Sequence, residues 1–198
     1  MPFLSREQLA HFKEEGYLLV RGMLDVEEVI QPIIDEYHGV LDKLAHELYA
    51  AGHIESTYDD LPFGKRLTQI VVDSGEVHAQ YFDFSLPQNG IEADTPFWAG
   101  PAVFRCLSNP ALLDVAESIV GPEIWSNPVQ HVRIKPPERL VPKDHNGQAL
   151  VTATSWHQDS GVVLPEADTS NVLTVWFPLN EATLENGCLQ IMPNSHRQ

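Results

Sequence analysis

Val151-Thr152-Ala153-Thr154-Ser155-Trp156-His157-Gln158-Asp159 is the stretch whose reading decides the fold. Val151 and Thr152 are β-branched, Ala153-Thr154 keep an apolar/polar alternation, and Gly161 punctuates the far side, so the run reads as a strand. Strand side chains alternate between faces, which puts His157 and Asp159 on one face and Gln158 on the other. A neutral imidazole and a carboxylate projecting together are two of the three donors of a 2-His-1-carboxylate face for non-haem Fe(II). The same spacing also suits a His and an Asp that share a hydrogen bond on a surface strand, and the spacing alone does not choose between them.

Outward from this run, the second half of the chain keeps the same character. Residues 129–135 alternate, residues 171–179 are β-rich and carry Trp176, and residues 187–192 follow the turn Glu185-Asn186-Gly187. The first half reads as helix. Ser5-Arg6-Glu7-Gln8 is a capping box stapled by Leu4 and Leu9, and Gly16 stops the helix it starts. Tyr17 to Val20 reads as a short strand. Asp25-Val26-Glu27-Glu28 is a second capping box, followed by apolar residues at spacings of three and four from Val26 to Leu48, with Pro32 marking a bend or a late start. His38 and His46 lie off that apolar stripe and read as solvated. Asn109-Pro110 caps a third helix that ends at Gly121. Residues 53–100 are mixed, with a run at 67–72 that fits helix or strand. Helices first and strands later predict a single domain over residues 1–198. It is helix-rich over 1–121 and carries β-core strands over 122–198, an α+β, mainly β, jelly-roll architecture with the helices packed outside.

Composition bounds the partners. With 43% apolar and 20% charged residues over 198 positions, the chain can bury a core of its own. No run of about 18 apolar residues or signal-peptide pattern is present, which predicts no membrane span and a cytoplasmic location. Cys106 and Cys188 are too few for a disulfide framework and read as reduced, buried thiols. A net charge of −16, from 28 acidic against 12 basic residues, argues against nucleic acid as a partner. It also disfavours polyanions such as acyl-CoA, against which Arg133, Lys135, Arg139 and Lys143 form the single basic patch.

Five motifs stand in a definite order: His131-Val132-Arg133-Ile134-Lys135-Pro136-Pro137, Trp156-His157-Gln158-Asp159, Leu173-Thr174-Val175-Trp176, Glu185-Asn186-Gly187-Cys188-Leu189 and Met192-Pro193-Asn194-Ser195-His196-Arg197. Together they resemble the phytanoyl-CoA dioxygenase family, whose opening is similar to Phe12-Lys13-Glu14-Glu15-Gly16-Tyr17. The resemblance implies a double-stranded β-helix and Fe(II)- and 2-oxoglutarate-dependent hydroxylation of a small organic substrate with O₂. It implies that His157 and Asp159 are iron ligands, that Lys135 pairs with a carboxylate of 2-oxoglutarate and that Trp176 lines the cosubstrate pocket. Gln158 takes a supporting or structural place there. An Asp at 159 fills the position that halogenating relatives leave open for halide, which favours hydroxylation or desaturation.

In the family the third iron ligand, a histidine, and the arginine that clamps 2-oxoglutarate lie several tens of residues beyond the Pro-x-Ser-His segment. This chain stops at Gln198. The resemblance therefore implies a C-terminally truncated enzyme lacking its final strands, whose exposed strand edges would favour a homo-oligomer. It does not give the third-ligand role to His196, nor do His131 and His145 fill it. Two rival readings stand beside the oxygenase: a non-catalytic or degenerate β-helix binding module, and a cupin-like small-molecule binding protein or isomerase.

Overall fold

The computed structural model describes residues 4–87, 89–150, 154–159 and 170–197. Residues 151–153 and Gly161, on which part of the strand reading rests, lie outside them. The chain divides into two compact units.

One unit comprises residues 1–30, 104–126 and 154–198. It opens with α1 (Arg6–Glu15), whose capping box forms in full: Ser5 Oγ accepts from the Gln8 amide at 3.2 Å and Gln8 Oε1 from the Ser5 amide at 2.9 Å. Leu4, the staple residue, is buried. Gly16 ends α1 at φ +84°, the left-handed conformation that glycine adopts without a Cβ penalty. The expected box at Asp25 forms on its aspartate side, with Asp25 Oδ1 accepting from the Glu28 amide at 2.8 Å. The Asp25 carbonyl then accepts from both Val29 and Ile30, at 3.0 and 3.3 Å, which winds Val26–Ile30 as a π-turn. α6 (Pro110–Val120) is capped as its sequence predicts, by Asn109 Oδ1 on the Ala111 and Leu112 amides at 2.9 and 3.3 Å.

The other unit comprises residues 31–103 and 127–153. Its spine is α2 (Gln31–Ala50), which starts at Gln31, so that Pro32, with no N–H to donate, sits in the first turn. Ile33, Tyr37, Val40, Leu41, Leu44 and Ala45 recur along one buried face of α2, which packs on α3 (Phe63–Ser74) and α4 (Ala79–Phe82). Leu67, Ile70, Val71 and Phe82 answer from those helices, all buried. Each such side chain stabilises the fold by about 1.5–3 kcal/mol. Arg66 is buried with them and stays satisfied: its guanidinium donates to Thr57 O at 2.9 Å, to Asp42 at 3.0 Å and to Asp59. α5 (Pro101–Leu107) runs from this unit into the first. Its Ala102 amide is capped by Glu36 Oε2 at 2.7 Å, while Glu36 Oε1 takes the Trp98 indole N–H at 2.8 Å. A Cβ on Gly100 would overlap that carboxylate.

Tyr37 gives this unit an alkaline limit. Its hydroxyl donates to the Phe82 carbonyl at 2.8 Å, and burial, with the Glu36 and Asp83 carboxylates adding, pushes its pKa well above the ordinary tyrosine value. A raised folded-state pKa contributes stability that is complete below the unfolded value, about pH 10, and is lost as pH rises toward the folded value. Urea unfolding between pH 9 and pH 11 should therefore show falling stability, with a shallower slope in Tyr37→Phe. Tyr81, raised by burial and its hydrogen bond to Glu47, carries part of the remainder. An unchanged slope in Tyr37→Phe would refute the assignment.

The expected mainly β jelly roll is not what the described residues form. Among the described residues there is no named strand, and the pairing is a single isolated bridge between Lys143 and Ala149. Residues 17–20, 129–135, 171–179 and 187–192 lie outside any helix or ladder. The reason is that alternation marks a surface able to join a sheet, while a strand exists only where its N–H and C=O groups meet a neighbour's. The apolar positions of these runs also lack a covering layer: Val129, Val172, Trp176, Leu189 and Ile191 are all exposed. No helix among the described residues is long and apolar enough to cross a membrane. Cys106 is buried, which raises its thiol pKa, and Cys188 is half-buried; both are free.

Candidate functional site

His157 and Asp159 meet, although not on the strand from which their shared face was expected. His157 Nε2 lies 3.3 Å from Asp159 Oδ1, and both side chains are about half exposed. The other ring nitrogen, Nδ1, is 2.7 Å from the Ser155 carbonyl. A carbonyl only accepts, so Nδ1 carries the hydrogen, and in the neutral ring the bare lone pair of Nε2 faces the carboxylate. Two electron-rich atoms at that distance are reconciled by a proton, giving the imidazolium, or by a shared cation. Donors bonded to one first-row metal at about 2.1 Å sit about 3 Å from each other, so the pair fits as two neighbouring ligands. Among the described residues no group of three or more His, Cys, Asp or Glu side chains is arranged to hold a metal.

The support around the pair was only partly visible in the sequence. Thr174 Oγ1 donates to Asp159 Oδ2, leaving Oδ1 toward the imidazole. Thr174 stands inside a motif already noted, but nothing in its type or spacing gives it this contact. Gln158, read as facing away from the ligands, donates its side-chain amide to the Ser195 carbonyl at 3.0 Å. Trp176 belongs to the same unit and is half exposed.

Lys135 belongs to the other unit, where it lines a recess of about 200 Å³ with Asp83, Val132, Arg133 and Leu150. Asp83, which no motif of the sequence marks, organises this wall. Its buried carboxylate accepts from the Phe84 amide at 2.9 Å, the Val132 amide at 3.1 Å and His131 Nδ1 at 2.8 Å, with Arg133 at 3.8 Å. Ser85 ties the same segment down from two residues further on, its hydroxyl oxygen accepting from the Gln130 amide at 2.6 Å.

Comparison with known proteins gives a class and then a family. The chain is similar to "Phytanoyl-CoA dioxygenase domain-containing protein 1" of Bos taurus, 24% identical over 99% of this chain and 67% of the relative. The same-named protein of Rattus norvegicus is 25% identical over 99% and 67%, and the Dictyostelium discoideum homologue is 24% identical over 98% and 66%. The chain thus spans about two thirds of the length of these relatives. No solved structure matches it. The profile of phytanoyl-CoA dioxygenase (PhyH) matches residues 12–198, and the chain belongs to the phytanoyl-CoA dioxygenase family, a family of Fe(II)- and 2-oxoglutarate-type oxygenases.

Proposed function

We propose that this chain carries part of the iron face of a 2-oxoglutarate-dependent dioxygenase that hydroxylates a small organic substrate. The observation that carries the reading is the His157–Asp159 pair: the Ser155 carbonyl fixes the imidazole tautomer, and Nε2 and Oδ1 stand 3.3 Å apart with lone pairs facing. Family membership over residues 12–198 supports the same reading.

In this reading His157 Nε2 and Asp159 Oδ1 hold the iron, and the Ser155 carbonyl and Thr174 hydroxyl keep both donors oriented. When bound, Fe(II) with a 2-oxo acid and O₂ supplies the oxidising chemistry. The family resemblance gives Lys135 the pairing with a 2-oxoglutarate carboxylate and Trp176 the lining of the cosubstrate pocket. Asp159 occupies its coordination position with a carboxylate, which favours hydroxylation over halogenation.

The test is an anaerobic titration of the protein with Fe(II) and then 2-oxoglutarate. A weak visible charge-transfer band is expected on adding the second component, together with succinate release once air is admitted. No band at saturating concentrations of both would overturn the reading.

A further inference from the structure

The two motifs at opposite ends of the family resemblance, Phe12 to Tyr17 and Met192 to Arg197, meet. The Ser195–Arg197 turn lies across the C-terminal end of α1. There the last carbonyls of a helix have no intrahelical partner, and this turn supplies donors. The Asn194 amide donates to Glu15 O at 2.9 Å, and Asn194 Nδ2 to Glu15 Oε2 at 3.1 Å. His196 Nε2 lies 3.2 Å from Lys13 O, and the Arg197 guanidinium 3.5 Å from the same oxygen. Basic groups at this end also oppose the partial negative charge of the helix terminus. The fit is close: a Cβ on Gly16 would stand 2.8 Å from Cγ of the His196 ring and nearer still to its Nδ1.

The Ser195 carbonyl in this turn accepts from the Gln158 side-chain amide. Gln158 is the residue between His157 and Asp159. A chain of direct contacts therefore runs from α1 through the 194–197 turn to the backbone that sets the separation of the two donors.

We propose that this clasp is a positioning device for His157 and Asp159, with Gln158 as its positioning residue; the proposal rests on the metal-binding reading above. Gln158 fixes the backbone between the two donors and contacts neither of them. Gly16 sets where the turn, and so the Ser195 carbonyl, can sit.

The experiment has a metal-free arm and a metal arm, run on the intact protein. In the first, the ring nitrogens of ¹⁵N-histidine-labelled protein report the tautomer of His157. In the second, Co(II) affinity is read from its d–d absorption. Wild type should show a single fixed state of the His157 ring, with a hydrogen on Nδ1. Gln158→Leu, which keeps the bulk and loses the donor, should give an averaged tautomer pattern and about tenfold weaker Co(II) binding, the scale expected of residues that orient metal ligands. Its melting temperature should stay within about 2 °C of wild type, since the side chain is exposed. Gln158→Lys, with a donor of similar reach, should restore both readouts. Gly16→Ala should reproduce the Gln158→Leu pattern from the far side of the clasp. Wild-type tautomer and affinity in Gln158→Leu would overturn the proposal. Failure of the wild type to take up Co(II) would instead overturn the metal reading, and the tautomer pattern of the variants would still decide whether the clasp positions His157.

Discussion

Asp159→Ala should lower Fe(II) or Co(II) affinity by about 100-fold or more, about 2.7 kcal/mol, and leave the fold intact. The size follows from what is removed. Loss of an outer partner of a metal ligand costs about 10–100-fold, and Asp159 supplies a donor atom itself. With the carboxylate gone, His157 Nε2 faces a methyl group, and a lone imidazole is a weak site. Stability should change by no more than about 0.5 kcal/mol, because the Asp159 side chain is half exposed and the Thr174 hydroxyl that donates to it is exposed and can turn to water. Isothermal titration with Co(II), paired with a thermal melt, separates the two effects. Unchanged affinity, or a collapse of the melt, would contradict the role given to Asp159.

Asp83→Ala should have the opposite signature, a loss of about 2–4 kcal/mol in stability. Its carboxylate is 9% exposed and accepts from two backbone amides and one imidazole. Removing it strands the Val132 and Phe84 amides in a partly buried place, at about 1–3 kcal/mol for each group that water does not reach. The exposed Arg133 guanidinium at 3.8 Å adds little. For a chain of this size the melting temperature should fall by roughly 6–12 °C. Asp83→Asn retains an acceptor for the Val132 amide and should lose about 1 kcal/mol. A denaturant titration distinguishes these values, and a loss under 0.5 kcal/mol in the alanine variant would remove Asp83 from the centre of this wall. Because Asp83 holds the segment that carries Lys135, the same variant should also alter the recess around that lysine.

Helix boundaries were legible where their caps are local. Ser5 with Gln8, and Asn109 with Pro110, name the starts of α1 and α6 within a few residues of chain, and Gly16 names a stop. α5 escaped because its cap comes from Glu36, on another helix far back in the sequence. The 67–72 run fits helix or strand in sequence and does not declare itself as α3, because Pro62 at the N-cap makes no side-chain hydrogen bond. The strand reading of 129–135 and 171–179 failed for a related reason: alternation is a local property and a ladder partner is not. The site shows the same division. His157 and Asp159 lie 3.3 Å apart, but without the strand from which their shared face was argued the two-residue spacing is not the reason. The Asp83–His131 and Gln158–Ser195 contacts join segments tens of residues apart, and no periodicity announces them.

The clasp at the end of α1 also bears on the order of folding. Its contacts join residues 179 to 184 positions apart, so closing that loop costs on the order of 4–5 kcal/mol of chain entropy before any of them is gained. Such contacts belong to the late part of a folding trajectory. During synthesis α1 leaves the ribosome well before residue 197, and its terminal carbonyls stay hydrated until that residue has emerged. The His157–Asp159 backbone therefore receives this restraint only once the intervening chain is in place, and the donor pair is completed after that long-range contact forms.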